Sequence, residues 1–274
     1  MEKTNLDQLH NIAYNLRIKT LKSIFKAKSG HIGSSLSLSE ILTSLFFGVM
    51  KIDINKKKNI DKFILSKGHA APILYAVFEE LGWISSEELE NTLRKLNSRL
   101  QGHPDKNVLE YLDSGSGALG QGLSISLGYA LSTKVNGNKL NSYCIIGDGE
   151  MQEGQIWEAA MYAGANRVKN LCVILDNNKF QNEKSIDETL KIDPIESKWQ
   201  SFGWNVITLN GHAIDELLNA YEKFFVSAKP TIIIANTIKG SGVDFMEGNN
   251  AWHSKVLEED DFNKAINQLE SKIK

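Results

Sequence analysis

Cysteine is scarce in this sequence. Cys144 and Cys172 are the only two, and each lies inside an apolar run. They read as small buried hydrophobes, and the lack of any Cys-x-x-Cys pair removes the common zinc and redox motifs. Net charge is nearly absent too, at −2 over 274 residues, so nothing in the balance points to a nucleic acid or a membrane surface. The basic run Lys56-Lys57-Lys58 stands alone and reads as a solvated loop. Long apolar runs are missing: stretches such as Thr231–Ala235 are far too short to cross a bilayer. The polar start "MEKTNLDQLH" is not a signal peptide. No internal repeat, low-complexity tract or Pro/Gly/Ser linker divides the chain. These absences predict one soluble domain over residues 1–274, in a reducing, cytoplasmic compartment, with a helical tail after position 256.

What is present is an ordinary α/β composition, 42% hydrophobic and 23% charged. From about residue 140 the pattern alternates. "YCIIG" reads as a strand, 153–168 as a helix, "LCVILD" as a strand and 177–200 as a polar loop. The strand "NVITLN", the helix 213–226 and the strand "TIIIANT" follow. Strands that are short, apolar throughout and β-branched are buried on both faces of a parallel sheet. The fold class is therefore α/β: a doubly wound, mostly parallel sheet with helices on both faces. Earlier segments predict a helix over 6–28, a second over "LSLSEILTSLFFGVM", and the strand "DKFILSKGHA" running into a glycine turn. A helix over "APILYAVFEELG" follows, and another starts at Ser85-Ser86-Glu87-Glu88.

In an open parallel sheet, ligands bind outside the carboxyl ends of the strands. Two consecutive strand ends carry "GDGE" and "LDNNK", which places Asp148 against Asn177 and Asn178. A carboxylate, an amide oxygen and a nearby main-chain carbonyl form a hard oxygen set suited to Mg²⁺ or Ca²⁺. Mg²⁺ completes its shell with water and phosphate oxygens. The acid between two glycines thus need not touch a phosphate, because it can hold the metal that does. The segment "GSGALG" (115–120) matches the dinucleotide fingerprint, but it lacks a preceding strand and a following acid. It reads instead as a backbone loop near a ligand, ahead of a helix. Four histidines follow a glycine: His31, His69, His103 and His212; a fifth, His253, sits in "NNAWHSK". Several such histidines around a phosphate crevice suit oxygen donors or proton shuttles. His212 precedes the helix "AIDELLNAYEKFF" and reads as structural. No H-x-x-x-H or H-E-x-x-H spacing supports a histidine metal centre.

Taken together, "GDGEMQEG", "LDNNK", "SGHIGSSLSLSEIL", "ILSKGHAAPILYA", "LQGHPD", "GSGALGQGLSISLGYAL", "KWQSFGW" and "KGSGV…AWHSK" resemble the N-terminal part of transketolase, in the same order from about residue 10 to 255. The resemblance implies thiamine diphosphate and Mg²⁺ as cofactors and transfer of a two-carbon ketol unit from a ketose to an aldose, either one phosphorylated or not. It implies Asp148, Asn178 and the main-chain carbonyl of Phe180 as metal ligands. Gly149 would border the diphosphate, with Gly117 and Leu119 along the cofactor. His69 and His253 would contact the diphosphate. His31, His103 and His253 would serve the chemistry at the sugar. Glu153 would stand at a subunit boundary, in a carboxylate network between active sites.

Some residues depart from the family pattern. Asn182 and Glu183 stand where a Gly-containing turn is usual, Ala118 replaces Ser or Pro, and "AWHSK" replaces the commoner His-Gly ending at His253. The pyrimidine-binding domain of full-length transketolases is not in the sequence. The expected partner is therefore a C-terminal transketolase-like subunit carrying that domain, in a heterotetramer with two copies of each chain. A deoxyxylulose-phosphate synthase-like or 2-oxo acid dehydrogenase-like subunit, or a non-catalytic scaffold of the same fold, remains an alternative; "MQEG" after "GDGE", "SKGHA" and "GHPD" weigh against the first two.

Overall fold

Five strands carry the fold: β1 (Lys62–Leu65), β2 (Ser142–Gly147), β3 (Leu171–Asn177), β4 (Asn205–Asn210) and β5 (Thr231–Asn236). In the computed structural model, which describes residues 5–182 and 184–273, they lie in the order β1-β2-β3-β5-β4 with every neighbouring pair parallel. Glu183 lies outside the described residues. Side chains alternate across a strand, and the strands are apolar on both sides. Tyr143 and Ile145 therefore enter one core cluster, while Cys144 and Ile146 enter another. Both cysteines are buried.

Helices α1 (Leu6–Ala27), α2 (Ala71–Glu80), α5 (Ile214–Val226) and α6 (Glu259–Glu270) supply the first cluster, through residues such as Leu21, Phe78, Tyr221 and Leu269. Helices α3 (Gln121–Asn136) and α4 (Gly154–Ala165) supply the second, through Leu123 and Ile156. This is the doubly wound arrangement that strand–helix alternation predicts. The tail helix α6 docks on α1, where Phe25 and Phe262 stack with centroids 4.2 Å apart. The strand β4 departs from the expectation of full burial. It is an edge strand, with Val206 and Ile207 half-buried and Thr208 exposed.

Two local expectations are corrected. The segment "LSLSEILTSLFFGVM" is not one regular helix. A helical turn at Ile32–Leu36 leads into it, and the segment itself forms a helical turn at Ser39–Thr43 and a π-helical stretch at Ser44–Val49. Ser39 and Ser44 donate to the carbonyls of Leu36 and Ile41 at 3.1 and 3.0 Å, and such hydroxyl back-bonding competes with a regular helix. The same span, Ile32–Val49, has a mean hydropathy of 1.4 and is long and apolar enough to cross a membrane, but 83% of it is buried inside the fold.

The supposed polar loop 177–200 holds a small hairpin, Phe180–Gln181 against Lys184–Ser185, and a helix Ile195–Ser201. Its apolar anchors Ile186, Ile192, Ile195 and Trp199 are too dispersed to show a period, yet all are buried. The run Lys56-Lys57-Lys58 is exposed throughout, as a solvated loop should be. It turns the hairpin Ile52–Asp53/Lys58–Asn59, and Lys57 Nζ donates to the Trp83 carbonyl at 3.2 Å.

Candidate active site

The carboxyl ends of β1, β2 and β3 lie side by side, because Leu65 pairs with Ile145 and Gly147 with Asp176. Just beyond them stand Lys67, Asp148 and Asn178. At the floor is a buried ion pair between Lys67 and Asp176. Asp176 also accepts from Ser37 Oγ at 2.8 Å, from Asn178 Nδ2 at 3.1 Å and from the Thr237 hydroxyl. Burial alone would raise the Asp176 pKa; the Lys67 charge and these hydrogen bonds reverse that and hold it below the usual carboxylate range. Asp176 is thus a fixed anion, and it orients the Asn178 amide so that Oδ1 remains the acceptor.

Asp148 behaves oppositely. Burial first, and then the Asp176 charge, push its carboxyl up to about 7. Its oxygens accept from Gly149 N at 2.8 Å and Lys179 N at 2.5 Å, which leaves lone pairs on both. A buried acid that is half-protonated near neutrality is a fitting ligand for a cation, which would return it to the carboxylate form. Asn178 and Phe180 line the same cavity. Among the described residues no three His, Cys, Asp or Glu side chains gather into a metal cage. The donor set here is one carboxylate, one amide oxygen and a carbonyl, so a cation would take its remaining oxygens from a ligand and water, as Mg²⁺ on a diphosphate does.

Glu150 is a site residue that the sequence reading missed. It accepts from Gly120 N at 2.7 Å, from Gly147 N at 3.0 Å and from Ser66 Oγ, and so pins the "GSGALG" loop to two strand ends. Gly120 has φ 83°, and a Cβ there would come within 2.8 Å of Glu153 Cβ; a Cβ on Gly122 would come within 2.4 Å of Ser66. The N-terminus of α3 can therefore sit directly on β1. Leu119 and Gly149 line the cavity. Gly117 lies against the His103 ring, where a Cβ would be 3.5 Å away. Glu153 does not line the cavity. It is exposed at the start of α4, the helix that also exposes Met161 and Tyr162.

The histidines gather as expected, with one set apart. The rings of His31, His69 and His253 stand 5.2–5.9 Å from one another, centroid to centroid. His31 N donates to the His253 carbonyl at 2.7 Å. A Cβ on Gly30 would lie 2.8 Å from the Ser254 carbonyl oxygen, so glycine lets the "AWHSK" segment cross here. Burial lowers the pKa values of His31, His69 and His103, with neighbouring cations adding to the effect; His31 falls to about 4.

His212 is elsewhere: Nδ1 donates to Glu40 Oε2 at 2.9 Å, and Nε2 accepts from Ile238 N at 2.9 Å. The departure at Asn182 also finds a reason. This residue takes φ 51° in the hairpin turn, which asparagine tolerates well, and its carbonyl accepts from Lys239 Nζ at 2.8 Å. Lys67 and Asp176, not singled out by sequence, were visible inside "SKGHA" and "LDNNK". Arg94 had no motif to mark it.

Hard oxygen donors, backbone loops and imidazoles thus stand together at the carboxyl ends of a parallel sheet in an α/β fold, the place where such folds take a ligand. Residues 9–272 match the family described as "Transketolase, thiamine diphosphate binding domain", and the chain belongs to that family. It is 40% identical over 273 residues to the 6-deoxy-6-sulfo-D-fructose transketolase subunit SqwG of Clostridium sp. (strain MSTE9), covering 98% of each chain. It is 35% identical over 260 residues to one of the apulose-4-phosphate transketolase subunits of Phocaeicola vulgatus, covering 94% of this chain and 92% of that one. The crystal structure of transketolase from Campylobacter jejuni superposes with a TM-score of 0.90 at 31% identity, over 97% of this chain and 43% of the other. The chain thus spans nearly all of the two subunits but less than half of the single-chain enzyme.

Proposed function

We propose that this chain is the diphosphate-side subunit of a two-chain transketolase, which passes a two-carbon ketol unit from a ketose to an aldose. The observation that carries the reading is the juxtaposition of Asp148, Asn178 and the Phe180 carbonyl with the His31, His69 and His253 rings around one crevice. Asp148, Asn178 and the Phe180 carbonyl would hold Mg²⁺, and His69 would hold the diphosphate. Thiamine diphosphate, when bound, supplies the carbon nucleophile and the electron sink. The protein's share is orientation and proton movement. Lys67 and Asp176 fix the floor and the Asn178 amide. Glu150 holds the backbone loop that carries Gly117 and Leu119 beside the cofactor. His103, exposed at the rim, and His253, in the ring cluster, would move protons to and from sugar hydroxyls, and the lowered pKa of His103 suits a base.

The partner would be a transketolase-like subunit with the pyrimidine-binding domain, in a heterotetramer. Glu153 and the exposed Met161 and Tyr162 would form the contact between copies of this chain. The two subunit relatives are named for sugars with an anionic end, so a ketose carrying a phosphate or sulfonate is the donor to try first. The assembled pair should transfer two carbons to an aldose with thiamine diphosphate and Mg²⁺, and Asp148→Ala should abolish this. Tight cofactor binding with no transfer from any anionic-ended ketose in a panel would sink the proposal.

A further inference from the structure

Arg94 joins two of the Gly-His turns. It follows the helix Ser86–Thr92, with φ 58°, and its backbone N–H donates to the Leu100 carbonyl at 2.8 Å. This closes a short loop just ahead of Gly102-His103. Gly102 rests on the arginine side chain: a Cβ there would lie 3.5 Å from Nε. The guanidinium then reaches the other turn. Nη1 donates to the Gly30 carbonyl at 3.1 Å, and Nη2 lies 3.1 Å from His31 Nδ1. A guanidinium carries donors and no acceptor. His31 Nδ1 must therefore accept, which leaves the ring proton on Nε2.

We propose that Arg94 is a positioning residue that holds His31 as its neutral Nε2–H tautomer, so that His31 offers the crevice a hydrogen-bond donor and not a base. What that donor meets, a sugar carbonyl or hydroxyl oxygen, rests on the function proposed above; the tautomer itself does not. The titratable and charged groups around the ring are Arg94, His253, His103, Lys239 and His69. Each would oppose a second proton on His31. Burial and the Arg94 charge together take the ring's pKa down to about 4. His31 then differs in role from His103 and His253, which keep the proton transfers.

The test is ¹⁵N NMR of the histidine ring nitrogens in the full chain. Wild-type His31 should show the Nε2–H pattern, without titrating, from pH ~5 to ~8. In Arg94→Ala its pKa should rise, while burial still holds it below the ordinary value of about 6.5, with both tautomers populated. In the assembled enzyme the same variant should lose roughly tenfold in kcat/KM for the ketose, increasingly so at lower pH, with cofactor affinity unchanged. A wild-type His31 protonated on Nδ1 would overturn the proposal, and it needs no variant, so a failure of Arg94→Ala to fold leaves that arm decisive. An Arg94→Ala chain whose His31 keeps its tautomer and titration would overturn it too. An assembled enzyme without ketol transfer but with the Nε2–H signature would sink the proposed function and support the Arg94 assignment.

Discussion

Replacing Glu40 by glutamine should remove about 3 kcal/mol of stability near neutral pH, and the loss should shrink in acid. Glu40 is buried and accepts both arms of Arg17, Nη1 to Oε1 at 2.6 Å and Nη2 to Oε2 at 2.7 Å, as well as His212 Nδ1 at 2.9 Å. Arg17 Nε donates onward to the Ser241 carbonyl at 2.8 Å, and His212 Nε2 holds Ile238 N. The cluster thus ties α1 and the Ile32–Val49 segment to the turn after β4 and to the loop that carries Lys239. Burial would raise the Glu40 pKa, but Arg17 and His212 outweigh it and hold the carboxyl at about 2, against an ordinary 4.5.

A folded pKa below the unfolded one means that the unfolded chain takes up the proton first. The stabilisation is whole above about 4.5 and fades as pH falls through about 2. The interval corresponds to about 3 kcal/mol. Urea unfolding of wild type and Glu40→Gln, at neutral pH and again at about pH 3, should show a gap that falls to less than half. A gap that stays constant across that range would refute the electrostatic account of the cluster.

Asp148→Ala and Asn178→Ala should each weaken thiamine diphosphate binding and its Mg²⁺ dependence together, and calorimetry on the assembled enzyme reads both; unchanged affinity in both variants would remove the metal assignment. His103→Ala should lower kcat/KM for the sugar by roughly a hundredfold while leaving cofactor affinity alone, and His69→Ala should do the reverse. His212→Ala should cost stability and leave kcat/KM near wild type; a large kinetic loss there with none at His103 would invert the reading of the Gly-His pairs. Because the Asp148 pKa is raised to about 7, the metal-free fold is favoured while that acid is protonated and loses this contribution as pH rises from about 4 through 7. Metal and cofactor binding slightly below neutrality should therefore release a proton, seen as a buffer-dependent binding heat that Asp148→Asn removes.

Much of the architecture could be read from one dimension, because strands buried on both faces advertise themselves. "YCIIG", "LCVILD" and "TIIIANT" fall on β2, β3 and β5. What escaped is where tertiary contacts decide the outcome. The 36–50 stretch looks helical by its apolar spacing, yet serine hydroxyls and the buried Arg17–Glu40 pair shape it. The Trp199 region has no period, since single anchors hold it to α4.

In the site, Asp148, Asn178 and the histidines were legible because glycine punctuation and strand-end position mark them. Glu150 and Asp176 sit inside the same motifs, but their task is to hold backbone and cations, which a list of ligand types does not reveal. Arg94 lies more than sixty residues from His31, so only the folded chain brings the two together.

The most direct test of the account is turnover by this chain alone and with its companion subunit, at saturating thiamine diphosphate and Mg²⁺, with an anionic-ended ketose and an aldose acceptor. The chain alone should show no detectable two-carbon transfer, and adding the companion should bring steady transfer that Asp148→Ala abolishes. Full turnover by the isolated chain, or a companion that binds without conferring transfer while the cofactor is held, would contradict it.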